Sequence, residues 1–197
     1  MAKRLFDLVI ATAALLLLSP LLLALALWIR LDSRGPALFR QERVGRHGRP
    51  FRIHKFRTMR SNADGLPLTV GADARITRAG RWLRTRRLDE LPQLIDVLKG
   101  DMSLVGPRPE VPRYVAHYPP ALREQVLSVR PGITDPASLA HLDEDALLAR
   151  AADPERAYVE QVLPAKLALA AGYARSATLA SDLRILLRTL RLLASRG

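Results

Sequence analysis

The chain has 197 residues, 49% of them hydrophobic, and its 31 Lys/Arg against 19 Asp/Glu give a net charge of +12. That length suits one moderate domain plus an anchor, and the absence of cysteine excludes a disulfide framework and a thiolate metal site. Aromatic residues at 5% argue against base stacking, and His47, His54, His117 and His141 lack metal-ligand spacing.

The cations sit mainly in the first half, where residues 1–100 hold 19 Lys/Arg and 8 Asp/Glu against 12 and 11 in the remainder. The same half carries an apolar run, a pairing that suits anionic headgroups or phosphate-bearing substrates. Nucleic acid is set aside as a partner, because no zinc-finger spacing or aromatic-interleaved basic strand accompanies the charge.

Leu8 to Ile29 is an uncharged stretch of 22 residues, about 33 Å as a helix and long enough for one hydrocarbon core. Ser19-Pro20 lies at its centre. Pro20 has no N–H for the Leu16 carbonyl, and the Ser19 hydroxyl can bond that carbonyl or the one before it, so the pair reads as a kink with its own repair. Lys3 and Arg4 precede the run; Arg30, Arg34, Arg40, Arg43, Arg46 and Arg49 follow it. Basic flanks favour the cytoplasmic side, and here they pull both ends to the same side. A re-entrant helix-break-helix over residues 1–34 satisfies both flanks, whereas a bent crossing satisfies one. A secretory signal with Ala24 and Ala26 at a cleavage site is opposed by Asp7, Pro20 and the basic stretch that follows.

"ALFRQERV" and "PFRIHKFRTM" are strand-like runs joined by Gly45–Arg49, a predicted hairpin that brings Arg40, Arg43, Arg52, Lys55 and Arg57 near the membrane surface. "SNADGLPLTVGAD" is loop-like. "ARITRAGRWLRTRR" predicts an arginine-laced helix, and "LDELPQLIDVLKG" another, with Leu91, Leu94, Ile95 and Leu98 on one face. In the latter Asp89 suits the N-cap, Pro92 is tolerated early and Gly100 stops the helix. "DPERAYVEQVLPAKLALAAGYA" predicts a helix interrupted near Pro164. In "LASDLRILLRTLRLLASR", Leu183, Leu186, Leu187, Leu190 and Leu193 share one side and Arg184, Arg188 and Arg191 another, which suits a core helix or, given the arginines, one in the membrane interface.

Asp89 and Glu90 are adjacent carboxylates after an arginine cluster, and acids at a helix start also complement the macrodipole without further purpose. The downstream "GDMSLVGPRPE" holds Arg108 between prolines, which suits bidentate phosphate recognition. Carboxylates in an arginine-rich pocket suit metal-assisted phosphoryl transfer, with one oxygen on Mg²⁺ and another attacking phosphorus.

The stretches "KRLFDLVIATAALLLLSPLLLALALWIRLDSRGPALFRQERVGRHGRPFRIHKFRTM", "LDELPQLIDVLKGDMSLVGPRPE" and "RPGITDPASL" resemble, in order, the bacterial sugar transferases, the monotopic phosphoglycosyl transferases in their minimal catalytic form. The resemblance implies transfer of a sugar 1-phosphate from a UDP-sugar to undecaprenyl or another polyprenol phosphate, with release of UMP, at the start of glycoconjugate or polysaccharide synthesis. It implies Asp89 as nucleophile through a phosphosugar-aspartyl intermediate, Glu90 as the Mg²⁺ ligand, Lys55, Arg84 and Arg108 as phosphate or nucleotide contacts, and Ser19-Pro20 as the re-entrant break. Glucose, galactose and acetamido or diacetamido sugars stay open, "DPASL" leaning to an acetamido sugar. Arg86-Arg87-Leu88 departs from the family, many members having a small hydroxyl residue before the leucine. Leu142 stands where a basic residue often precedes the acidic run, and Asp143 to Asp145 are given no role.

The expected fold is α+β and mostly helical. It comprises the re-entrant anchor (1–34), a small β-hairpin and amphipathic interfacial helices around a compact catalytic domain (35–197) on the cytoplasmic face of the bacterial inner membrane. Membrane lipids are expected partners, and a homodimer is left open. The alternative is a non-catalytic membrane adaptor with a basic lipid-binding face, which has no need of the rigid Gly106–Pro109 loop.

Overall fold

The computed structural model describes residues 1–60, 73–140 and 144–194. All but the last residue of the predicted loop over 61–73, together with Leu142 and Asp143, lies outside these. The apolar run forms α1 (Ala2–Asp32), 31 residues with Pro20 inside it, or about 47 Å of helix. The Ser19 hydroxyl donates to the Leu16 carbonyl at 2.8 Å, which satisfies the acceptor that proline leaves open. Helix therefore continues on both sides of Pro20 as one element.

A stripe along α1 packs against the rest of the chain: Asp7, Ala11, Leu25 and Ile29 are buried, with Ala14, Leu15, Leu22 and Ala26 partly so. The opposite face exposes Leu16, Leu17, Leu23, Leu27 and Leu31. By length and composition the helix is apolar enough to cross a membrane.

Both ends of α1 are fastened by polar contacts. At the start, Arg4 donates to the Val97 and Leu98 carbonyls, Lys3 pairs with Asp182, and Asp7 accepts from the Ser103 hydroxyl at 2.8 Å and the Leu104 N–H at 3.2 Å. At the far end, Leu25 and Ile29 pack with Phe56, Ala79 and Leu83, and Asp32 accepts from the Ala79 N–H at 3.0 Å. Burial of a side chain such as Ile29, 1% exposed, stabilises by roughly 1.5–3 kcal/mol.

Strands β1 (Leu38–Val44) and β2 (Pro50–Phe56) pair antiparallel, Leu38 opposite Phe56 and Val44 opposite Pro50, around the predicted turn. In that turn His47 (φ 58°) and Gly48 (φ 75°) have left-handed backbones. The hairpin arginines are not all surface groups. Arg57 is buried and donates to the carbonyls of Ile29, Ser33, Arg34, Gly35 and Pro36, closing the turn that follows α1. Arg43 donates to Gln41 and to the Pro109 carbonyl. Guanidinium groups with five donors can satisfy clustered carbonyls, which is why these two turn inward.

The arginine-laced helix is α2 (Arg78–Thr85), shorter than the sequence pattern because the Thr77 hydroxyl caps it, accepting from the Gly80 N–H at 2.9 Å. A 3₁₀ turn (Leu88–Gln93) leads into α3 (Leu94–Lys99), which Gly100 (φ 92°) ends as expected. Strands β3 (Ser103–Val105) and β4 (Gly132–Thr134) pair parallel across the intervening helices α4 (Pro112–Val115) and α5 (Pro120–Leu127). A Cβ on Gly132 would lie 2.1 Å from the Gly106 nitrogen, so the two loops meet at a distance only glycine allows.

After α6 (Pro136–Leu139), α7 (Glu144–Arg150) and α8 (Pro154–Ala157), a π turn at Tyr158–Val162 precedes α9 (Leu163–Ser176). This is the predicted interruption: Pro164 has no N–H for the carbonyl of Glu160, and the widened turn absorbs the missing bond. In α10 (Leu179–Ala194) the leucines divide between two faces. Leu186, with Ile185, packs inward, while Leu179, Leu183, Leu187 and Leu190 form an exposed row.

Candidate active site

The 3₁₀ turn places Asp89 and Glu90 where β2 and the loop after β3 converge. Pro92 cannot give Leu88 an α-helical bond, so the segment stays 3₁₀ until Leu94. Arg87, with a left-handed backbone (φ 57°), is the residue that starts the turn, and Asp89 is not the N-cap its sequence position suggested. Its side chain is drawn instead into an ion pair. Asp89 and Glu90 are only 2% and 7% exposed, so their charges need partners inside the fold.

Each carboxylate has one. Lys55 Nζ is 2.8 Å from Asp89 Oδ2 and 3.4 Å from Glu90 Oε1. Arg108 grips Glu90 with both terminal nitrogens, Nη1 at 3.2 Å from Oε2 and Nη2 on Oε1. Burial alone would raise the Glu90 carboxyl, but Arg108 and then Lys55 outweigh it and hold the acid far below the ordinary carboxylate range. Arg108 is in turn pushed above its usual value by the charge of Glu90. The pair therefore stays ionised, and two cations balance two anions in one pocket.

The supports of these cations were not apparent from local patterns. Asp96, fully buried on α3, accepts from the His54 backbone N–H at 2.7 Å and lies 2.5 Å from His54 Nδ1, which clamps the residue preceding Lys55. The Arg108 loop is tied to β4 by Gly106 N–H to Thr134 (3.0 Å) and Gly132 N–H to Pro107 (2.9 Å). It is tied to β1 by Val44 N–H to Glu110 (2.9 Å) and by Arg43 to Pro109 (3.1 Å). Burial, and then Glu110, push the Tyr158 hydroxyl far up, so it remains the donor to Glu110 and steadies that residue.

Of the expected contacts, Lys55 and Arg108 meet the carboxylates directly. Arg84 is half-buried in the last turn of α2, and it does not contact either acid; its charge acts on Asp73. Glu144 of the acidic run pairs with Lys166, a structural contact away from this site.

Among the described residues there is no group of three His, Cys, Asp or Glu side chains that could enclose a metal. Mg²⁺ commonly takes one or two carboxylates and completes its shell with phosphate oxygens and water. Two adjacent carboxylates fit a cation that arrives with a diphosphate, provided Arg108 and Lys55 release an oxygen to it.

A family model described as bacterial sugar transferase matches residues 1–196. The UDP-glucose:undecaprenyl-phosphate glucose-1-phosphate transferase of Caulobacter vibrioides is 47% identical over 144 residues, 71% of this chain and 54% of the relative. The UDP-N-acetylgalactosamine-undecaprenyl-phosphate N-acetylgalactosaminephosphotransferase of Aeromonas hydrophila is 46% identical over 143 residues, 71% of this chain and 34% of the relative. The UDP-glucose:undecaprenyl-phosphate glucose-1-phosphate transferase of Escherichia coli is 44% identical over 136 residues, 67% and 29% respectively. This chain thus spans about half the length of the first relative and about a third of the other two.

Proposed function

The chain belongs to the bacterial sugar transferase family, and from that premise we propose that it moves a sugar 1-phosphate from a UDP-sugar to a polyprenol phosphate, releasing UMP. The observation that carries this reading is the buried Asp89–Glu90 pair, with Lys55 against Asp89 and Arg108 against Glu90, each cation entering from a separate element. An adaptor has no use for such an arrangement.

In the proposed reaction a carboxylate oxygen of Asp89 attacks the phosphorus that bears the sugar. The bond from that phosphorus to the bridging oxygen breaks, UMP leaves with the electron pair, and an acyl phosphate remains. An oxygen of the lipid phosphate then attacks the same phosphorus and frees the Asp89 carboxylate, giving a polyprenyl diphosphosugar. No proton transfer is required at either step, because the lipid phosphate is already ionised. Lys55 stays within reach of both the acid and the phosphorus it attacks, and Arg108 offers its fork to phosphate oxygens as charge shifts towards the leaving group. Mg²⁺, with Glu90 as its ligand, would neutralise the diphosphate.

The membrane reading is a re-entrant anchor with the active site on the cytoplasmic face of the inner membrane. It is supported by the contacts at both ends of α1 with one folded domain and by the exposed leucines between them. Cysteines at Ala2 and Ser33 should both be shielded from an impermeant reagent in intact cells, and labelling of one alone would defeat re-entry.

The activity is tested by incubating detergent-solubilised protein with Mg²⁺ and a panel of UDP-sugars. Without lipid, UMP should appear up to one equivalent per site, with a sugar-phosphate mass added to a peptide containing Asp89 and removed by hydroxylamine. Active protein that gives neither burst nor adduct uses direct transfer, and protein inactive on every donor refutes the function.

A further inference from the structure

Arg86 and Arg87 are left unused by the chemistry above. Arg87 is exposed and adopts φ 57°, ψ 20°, a conformation that an arginine occupies only against its own steric preference. Glycine would fit there without strain, so the side chain is retained in spite of the backbone. Arg87 is the residue from which the turn carrying Asp89 and Glu90 starts. Arg86 is exposed too, and its guanidinium carbon lies 4.4 Å from the centroid of the Trp82 ring, which fixes the cation by stacking.

Trp82 in turn meets Trp28 of α1 edge-on, with centroids 5.4 Å apart and planes at 69°. Trp28 lies on the flank of α1 between its buried stripe and the exposed row Leu23, Leu27 and Leu31. Contacts therefore link α1 through Trp28 and Trp82 to Arg86, and Arg87 follows it in the chain, exposed and two residues before Asp89. Neither arginine forms an ion pair among the described residues.

We propose that this surface is the acceptor port: the phosphate of a polyprenol phosphate is held by Arg86 and Arg87 while its isoprenoid chain lies along the leucine row beside Trp28. This order of chemistries, placed next to Asp89, favours a polyprenol phosphate over the other candidates. A nucleotide sugar has phosphates but no apolar tail, and an ordinary anionic phospholipid has both but gains nothing from proximity to Asp89. The port sits before the carboxylate pair in the chain, whereas Arg108 enters from the loop after β3, so donor and acceptor phosphates would approach the turn from different elements. The inference rests on the proposed acceptor, and its test must separate the two.

Trp28 and Trp82 are the only tryptophans in the chain, so intrinsic fluorescence reports this surface without turnover. In neutral detergent micelles, titration with polyprenol phosphate should give a saturable change, and polyprenol lacking the phosphate a much weaker one. Arg87→Gly should raise the midpoint about tenfold, in line with loss of one charge-assisted contact, and Arg87→Lys should recover most of it. In the steady state Arg87→Gly should raise KM for polyprenol phosphate about tenfold and KM for the UDP-sugar less than twofold. Glycine suits the positive φ, so the variant's thermal midpoint should not fall, which removes misfolding as an explanation.

A larger shift in the UDP-sugar KM than in the lipid KM would assign the arginines to the donor and overturn the port. Equal titration by phosphatidylglycerol and polyprenol phosphate would also overturn it, leaving a general headgroup contact. If the wild-type protein releases no UMP from any donor, the transferase reading fails by itself, and the fluorescence titration still decides whether these residues bind a lipid phosphate.

Discussion

Two buried acidic sites in this protein look alike by exposure and differ in what satisfies them. At the foot of α1, Asp7 is 2% exposed and accepts from the Ser103 hydroxyl and the Leu104 N–H, both inside the packed core. At the 3₁₀ turn Asp89 is equally buried, but its partner Lys55 and the Glu90 partner Arg108 are side chains that stay 23% and 34% exposed. Neutral donors built into the core can be exchanged for nothing without opening the fold. Cations reaching in from solvent can turn to an incoming phosphate. Burial of a carboxylate alone therefore does not mark chemistry here; a charged partner that still reaches solvent does.

That contrast can be broken by substitution. The largest effect is expected from Asp89→Asn, which keeps the shape and removes the proposed nucleophile: turnover should fall on the order of 10³-fold or more, with adduct formation lost and thermal stability little changed. Kinetics and intact-protein mass on the same sample would check both halves. Glu90→Gln should follow, lowering turnover by about 10²-fold and raising the Mg²⁺ concentration needed for half activity. An unchanged metal titration in that variant would assign the ligand elsewhere.

Asp7→Ala should behave in the opposite sense. It leaves the Ser103 hydroxyl and the Leu104 N–H without their acceptor, at an expected loss of about 2 kcal/mol in unfolding free energy, while activity per folded molecule stays within a few-fold. A loss of turnover at full stability would erase the distinction drawn above. The smallest effect concerns pH. The folded Glu90 carboxyl lies far below its unfolded value near 4.5, so its stabilisation is complete above that value and drains away as pH falls below it. Between pH 6 and pH 3 the wild type should lose more unfolding free energy than Glu90→Gln, and the two should run parallel from pH 6 to 8.

Local chemistry made much of the frame legible. The hairpin follows from two β-rich runs around Gly45–Arg49, the stop of α3 from Gly100, and the break before α9 from Pro164. The carboxylate pair and its cations Lys55 and Arg108 came through motif resemblance as well as residue type. What local patterns missed are contacts between residues far apart in the chain. Lys3 and Arg4 read as a charged flank for headgroups, yet they bind Asp182 and the end of α3. Arg57 read as a surface strand residue and is buried among carbonyls. The His54–Asp96 clamp spans 42 residues. Periodicity reports which face of an element is apolar, and it is silent on which charge another element will neutralise.

The contact between Lys3 and Asp182 joins positions 179 residues apart, and this sets an order of events during biosynthesis. The first turn of α1 leaves the ribosome early, but one of its partners is made only when α10 emerges. Until then Lys3 is still hydrated and the foot of α1 lacks this contact. Closing so long a loop is entropically slow, so the first turn of α1 seats against α10 later than contacts between neighbouring elements form. A chain arrested before α10 would leave the base of α1 unlatched, and proteolysis near Lys3 would tell the arrested from the finished protein.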